Sequence, residues 1–262
     1  MPLFYSIIIF SIGLCIGSFI NVVIDRLPKK ESVISGRSYC DNCRKKLSWY
    51  ELIPIISFFI LKRKCKVCKT SLSFQYPAIE IITGILVLFS FLFLISDKSL
   101  NLFTYILLFY YISIISSFIA IFVIDIKYGI IPDKIIVFLL FVVLPYSFIF
   151  QKPFIFDSFI SAISAFIFFL ILVLVTKGKG MGFGDAKLAF VMGIILSFPA
   201  IVVSLYVAFL TGAFVSIILV IWGKKHFKKS TIPFAPFLAF GTILSLFLGS
   251  QIWQFAKQIL QF

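Results

Sequence analysis

The sequence predicts an all-α polytopic membrane protein of about eight transmembrane helices, with a small four-cysteine insertion after the first helix. Three observations carry this. Hydrophobic residues make up 61% of the chain and charged residues 13%, with a mean hydropathy of +1.15, a balance that cannot clothe a soluble globule. Apolar runs of the length needed to cross a hydrocarbon layer about 30 Å thick, roughly 20 residues each, recur along the chain. Basic residues gather in alternate segments between those runs, as they do in loops on one side of a membrane.

The first run, Leu3 to Ile24, has no charge and lacks both the basic lead-in and the small-residue cleavage site of a removable signal peptide, so it reads as a retained helix. Further runs cover Pro77 to Ile95, Ser99 to Ile124, Ile135 to Phe150, Ser158 to Thr176, Leu188 to Gly223 and Ser230 to Ala256. The sixth, at 36 residues, is too long for one crossing at ~1.5 Å per residue, and Ser197, Phe198 and Pro199 offer a turn inside it. If it crosses twice, 21 of the 24 Lys and Arg residues fall on one side, leaving only Lys98, Lys152 and Lys257 opposite. A single crossing would send the lysines around His226 to the other side, so the charge bias favours eight helices with the basic side cytoplasmic. The arm from Leu188 to Phe198 is then short, which predicts that its helix starts earlier or that its turn lies within the membrane. The chain divides into a first helix over 1–24, a cytoplasmic segment over 25–75 and a membrane domain of about seven helices over 76–262.

The net charge of +14 would suggest a nucleic-acid partner in a soluble protein. Here the basic residues serve topology and contact with anionic lipid, and no nucleic-acid partner is expected. Trp222 and Trp253, near the ends of runs, fit interfacial anchoring, and His226 reads as part of a solvated loop.

Cys40, Cys43, Cys65 and Cys68 form two CxxC pairs separated by 21 residues, close to the spacing of a zinc ribbon. Two disulfides or four free thiols are the competing reading, and a cytoplasmic segment, facing a reducing compartment, argues against the disulfides. Four thiolates leave no open coordination position, so the expected zinc is structural. Lys45, Lys46, Lys64 and Lys66 flank the pairs and offset thiolate charge. The fifth cysteine, Cys15, lies alone in the first helix, facing lipid or packed.

Acidic residues beside membrane runs are functional candidates, because an ionised carboxylate near hydrocarbon costs several kcal/mol. Asp125 closes the third run, and Asp185 follows Gly182-Phe183-Gly184 just ahead of the sixth. The predicted topology puts both at similar depth on the cytoplasmic side. Two carboxylates meeting there would share one proton, leaving the other as base to activate a water against a peptide carbonyl. Gly182 and Gly184 would let an extended substrate approach the backbone closely. Plainer roles are open to each acid: a solvated helix end for Asp125, a turn or cap for Asp133 and an N-cap for Asp185.

Taken together, the motifs resemble the prepilin peptidase family, the type IV leader peptidases, among the GxGD membrane aspartyl proteases. They run in order through Gly17-Ser18-Phe19-Ile20-Asn21 with Arg26-Leu27-Pro28, the four cysteines, Glu51-Leu52-Ile53-Pro54 and Tyr76-Pro77-Ala78-Ile79-Glu80. Asp125 with Ile131-Pro132-Asp133, Gly180-Met181-Gly182-Phe183-Gly184-Asp185-Ala186-Lys187, and Ile232-Pro233-Phe234-Ala235-Pro236-Phe237 complete the series. The resemblance implies that Asp125 and Asp185 are the catalytic pair. It implies as substrate a type IV prepilin or pseudopilin precursor, cut after the glycine of a short basic leader at the cytoplasmic face of a bacterial inner membrane. It also implies N-methylation of the new N-terminus from S-adenosylmethionine by the cysteine-bearing part, with Glu51 and Glu80 matching its acidic positions; no glycine-rich donor fingerprint supports this independently. Asp25 stands where relatives more often carry an uncharged, aromatic or histidine residue, and Ala235 replaces a usual glycine, neither departure being expected to touch the proteolytic pair. The reading from another class is a membrane transporter or channel with a cytoplasmic zinc ribbon, which would place its charges near the midplane. A membrane-anchored scaffold is the third, and it leaves both aspartates without a role.

Overall fold

The structure is a computed structural model and describes residues 2–40, 42–96, 101–150, 155–178, 180–222 and 232–260. Lys98, Lys152 and the segment around His226 lie outside the described residues. Among the described residues the chain is all-helical: α1 (Pro2–Arg26), α2 (Ile56–Ile60), α3 (Gln75–Ser96), α4 (Leu102–Tyr128), α5 (Asp133–Phe150), α6 (Ile155–Val175), α7 (Phe183–Ile221) and α8 (Ala235–Leu260). All but α2 are long and apolar enough to cross a membrane. The helix suits that setting because it satisfies its own backbone hydrogen bonds where no water is present to do so. Seven such helices make this a multi-pass membrane protein.

The described chain forms two compact units, Met1–Ala120 and Ile121–Phe262. In the first unit α1 and α3 run antiparallel: Gly13 meets Gly84, Gly17 meets Glu80, and the Asn21 side-chain amide donates to the Tyr76 carbonyl. A Cβ on Gly17 would lie 2.6 Å from Glu80 Cα, so the absence of a side chain permits this approach.

In the second unit, α7 resolves the question of the long apolar run. A straight helix of its 39 residues would measure about 58 Å, nearly twice the hydrocarbon thickness. Non-helical torsions at Ser197 and Phe198 interrupt it. Its contacts with α6 show the chain turning back. Phe166 meets Phe190 and Phe183, Gly193 lies against the Ala162 backbone and Ser197 bonds Ser158, so the first arm runs antiparallel to α6. Phe209 then packs on Phe168 and Phe169, which places the second arm parallel to α6. Helix α8 runs back along that arm, from Phe234 beside Phe209, through Gly241 at Ser204, to Trp253 beside Phe198. The predicted two crossings are therefore present, and the seven apolar helices make eight membrane segments. The first arm, residues 183–196, rises only about 21 Å, and its helix starts five residues earlier than the uncharged run.

This alternation collects the end of α4 and the starts of α5, α7 and α8 at one end of the second unit. Gly129 terminates α4 in the left-handed region (φ 64°), its N–H returning to the Asp125 carbonyl at 2.9 Å. Helix α4 thus continues one turn past Asp125, which sits inside the helix rather than closing it.

Candidate active site

Asp125 and Asp185 are both buried, at 6% and 7% exposure, in a chain whose other second-unit acids are Asp133 and Asp157. Burial of a carboxylate requires compensation, and each has found a helix start. Asp125 Oδ2 accepts the N–H of Ala235, the first residue of α8, at 3.2 Å. Asp185 Oδ2 accepts the N–H of Gly182, the residue before α7, at 3.0 Å. Unpaired amides and the aligned peptide dipoles make a helix N-terminus favourable to negative charge. The two carboxylates also interact electrostatically with each other, so the fold brings together the pair that lies 60 residues apart in sequence.

Around them, Lys187 Nζ donates to Asp133 Oδ1 at 2.6 Å, tying the start of α7 to that of α5. Asp133 is 71% exposed along its side chain, which sets it apart from the buried pair. A Cβ on Gly184 would lie 3.2 Å from Ile131, whereas one on Gly182 would meet only ordinary contacts. Gly184 therefore packs on the Ile131 side chain, and Gly182 is the more open of the two. Asp185 occupies the third position of α7 and Gly182 is the N-cap residue, so Asp185 is not the N-cap but accepts the amide of the residue that is.

Ala235 was expected to lie apart from the pair. It does not: its amide is the group that Asp125 holds. Because the contact is made by backbone, replacing the usual glycine by alanine leaves it intact. No sequence signal marked this amide, since every non-proline residue carries one.

In the first unit, the four cysteine Sγ atoms all lie within 4.8 Å of one another. Cys40 and Cys68 are 3.8 Å apart and Cys43 and Cys65 3.9 Å, matching the ~3.8 Å edge of a sulfur tetrahedron around an ion bound at about 2.3 Å. The cluster can therefore bind a metal. It is built by two copies of one turn. Cys40 N–H donates to Lys45 O and Arg44 N–H to Cys40 O; Cys65 N–H donates to Thr70 O and Lys69 N–H to Cys65 O. Arg44 and Lys69 take the same left-handed torsion, φ 56° and 58°. At the residue level only the CxxC pairs show this repetition. Hydrogen bonding from the Thr70 hydroxyl holds the Cys68 thiol down to about 5, towards the ligating thiolate, while burial pushes Cys40 up to about 11.

Beside the knuckles lies a cavity of about 370 Å³, within the size range of small-molecule sites. Glu51, Glu80, Asp25 and Tyr76 line it, with Cys40 and Thr70 from the knuckles. Glu51 Oε2 accepts the Ser48 N–H at 2.7 Å, and this bond, helped by Lys45, holds its carboxyl below the ordinary value. Glu80 Oε2 accepts the Ile55 N–H at 2.7 Å. Ile55 sits at φ +60°, costly for a β-branched residue, so Glu80 stabilises a strained turn. Asp25, the residue that departs from the usual pattern, accepts the Tyr76 hydroxyl at 2.9 Å.

Residues 11–94 match the Bacterial Peptidase A24 N-terminal domain, and residues 112–217 match the Type IV leader peptidase family. The prepilin leader peptidase/N-methyltransferase of Bacillus subtilis (strain 168) is 34% identical over 248 residues, covering 95% of this chain and 96% of the relative. This chain belongs to the type IV leader peptidase family. The enzyme of the same name from Burkholderia pseudomallei (strain K96243) is 28% identical over 97% of this chain and 87% of its own length. That from Myxococcus xanthus (strain DK1622) is 45% identical over 85 residues, 32% of this chain and 25% of the relative. No solved structure matches the chain. Family membership favours peptidase and methyltransferase activity over the transporter reading, and the helical architecture with a cysteine cluster is the one the sequence predicts.

Proposed function

We propose that this protein is a prepilin leader peptidase in which Asp125 and Asp185 activate the water that cuts the leader from type IV prepilin or pseudopilin precursors. The supporting observation is the pairing itself: two buried carboxylates, each accepting a backbone amide at a helix start and each in the other's field. Two acids so placed hold one proton between them more easily than none. The ionised member takes a proton from water as the oxygen attacks the scissile carbonyl, and the protonated member donates to the carbonyl oxygen. Collapse of the tetrahedral intermediate returns that proton, and the leaving amine takes up the other.

The site lies on the cytoplasmic side of a bacterial cytoplasmic membrane, where the basic segments gather and where the leader of a membrane-inserted precursor is exposed. Basic residues there contact anionic lipid rather than nucleic acid. Residues 25–75 form the metal-binding part, with Cys40, Cys43, Cys65 and Cys68 holding a structural zinc, and residues 76–262 form the peptidase domain. The cavity beside the knuckles suits S-adenosylmethionine by its size and by its mixed polar and apolar lining, and that donor would supply a methyl group to the new N-terminal amine. Glu51 and Glu80 shape this cavity, chiefly by holding the turns at Ser48 and Ile55 in place.

The test is cleavage of a pilin-type precursor in membranes, read by mass spectrometry of the product N-terminus. Cleavage by the wild type that is lost in both Asp125→Asn and Asp185→Asn is the expected result. Undiminished cleavage by either variant at matched expression refutes the pair, and an added methyl group reports the second activity.

A further inference from the structure

The extramembrane part of the first unit is turned inside out between Trp49 and Ile60. In the 3₁₀ turn Trp49–Leu52 the acid Glu51 is buried, while Trp49 is 74% exposed and Tyr50 and Leu52 are also exposed. In α2, Phe58 points inward onto Phe74, while Ile56, Phe59 and Ile60 stand outward. Their spacing of three and four residues puts them on one face of the helix. In water such a surface is unfavourable, and an exposed cluster of this kind marks an interaction site.

Charge says what covers it. Between Glu51 and Glu80 lie 28 residues without a single acid and with five basic residues, Lys62, Arg63, Lys64, Lys66 and Lys69. Two of these share the surface with the aromatic residues: Arg63 lies 3.7 Å from the ring centre of exposed Phe74, and Lys66 bonds the Tyr50 hydroxyl at 3.1 Å. Phe74 immediately precedes α3, a membrane span, so the patch adjoins the point at which the chain enters the bilayer. Exposed aromatic and aliphatic side chains beside basic residues are the makeup of a segment lying in a membrane interface, apolar face down among the acyl chains.

We propose that Trp49–Ile60 is an interfacial anchor. Its exposed apolar side chains enter the leaflet beside α3, and Lys62, Arg63, Lys64 and Lys66 engage anionic headgroups. This narrows the general contact with lipid to one segment and depends only on the membrane character of the chain, not on its peptidase activity.

The test uses the full chain carrying Asp185→Asn, so that cleavage plays no part, with Trp222→Phe and Trp253→Phe leaving Trp49 as the sole tryptophan. The protein is placed in nanodiscs of phosphatidylcholine and phosphatidylglycerol with brominated acyl chains. Quenching of Trp49 by the bromines is expected, with little quenching by aqueous acrylamide. Weaker quenching is expected when phosphatidylglycerol is omitted and when Phe59→Ser and Ile60→Ser are added. Quenching by acrylamide alone would mean a water-exposed patch and would overturn the proposal. Protection from both quenchers would mean that protein, such as a second copy of this chain, covers the patch, and would overturn it equally. Retained binding of one metal ion per chain in the Ser variants shows that the extramembrane part remains folded.

Discussion

Replacing Asp185 by asparagine and, separately, by alanine distinguishes the chemistry of this carboxylate from its part in starting α7. Asp185 Oδ2 accepts the Gly182 N–H at 3.0 Å. Asparagine keeps an acceptor oxygen in that place; alanine does not, and should lower stability relative to asparagine by about 1 kcal/mol, the usual worth of a helix-start acceptor. Relative to wild type, asparagine removes a buried carboxylate whose ionisation near hydrocarbon is unfavourable, so its thermal midpoint should equal or exceed that of the native protein. Catalysis should move the other way. Loss of a group that transfers the proton lowers rate by at least about 10²-fold, or roughly 2.7 kcal/mol of transition-state stabilisation. Precursor cleavage timed in proteoliposomes, with thermal unfolding followed on the same preparations, reads both quantities. Cleavage by Asp185→Asn within tenfold of wild type would refute the reasoning. Equal loss of midpoint in both variants would show that the carboxylate is needed for folding rather than for chemistry.

The other expected outcomes concern packing, metal and pH. Gly193→Val drives a side chain into the Ala162 backbone of α6 and should destabilise the second unit by about 1–3 kcal/mol, read as a lowered unfolding midpoint, whereas Gly178→Ala meets no neighbour and should cost only the backbone strain of a side chain at φ +71°, about 1 kcal/mol. Cys43→Ser removes one of four converging thiols, so metal content by mass spectrometry should fall well below the one ion per chain expected of the native protein; undiminished content would contradict the tetrahedral cluster. The Ser48 amide, aided by Lys45, holds Glu51 below its ordinary 4.5, so the stability it contributes is fully present above that pH and is lost as pH falls through the lower folded-state value. Glu51→Gln should therefore flatten the acid limb of a stability-against-pH curve, and an unchanged limb would contradict the assignment.

The helices were legible because lipid imposes one rule on the sequence, an apolar residue at nearly every position, and that rule needs no knowledge of partners. The number of crossings was legible from charge: the Lys and Arg imbalance required two passes where hydropathy showed one run, and the turn at Ser197 supplies them. Helix ends were less legible. The apolar runs stop at the first charge, but the helices carry Asp125 inside α4 and Asp185 inside α7, because backbone amides satisfy both acids. The repeat in the knuckles was hidden for a different reason, since a turn held by backbone hydrogen bonds constrains torsions at Arg44 and Lys69 more than their identities.

The candidate pair shows the same limit and its physical origin. Sequence motifs carried both aspartates, yet nothing in them disclosed that α8 begins with its free amide on Asp125. A buried carboxylate far from a lysine or arginine would stay protonated and could not serve as base. Pairing it with a cation would hold it ionised so firmly that it would be a poor base. A helix N-terminus lies between these extremes, offering partial positive charge and fixed donors without a full countercharge. In the proposed mechanism, one such start at each acid lets the pair hold a single proton between them, which is the state that water activation requires. Lys187, the cation two residues from Asp185, is held by exposed Asp133. In Asp133→Asn the Lys187 ammonium loses that partner, and cleavage is expected to lose less rate at the acid end of its pH profile than at neutrality, because a cation moving towards the pair disfavours the protonated acid; an unchanged profile would contradict proton sharing.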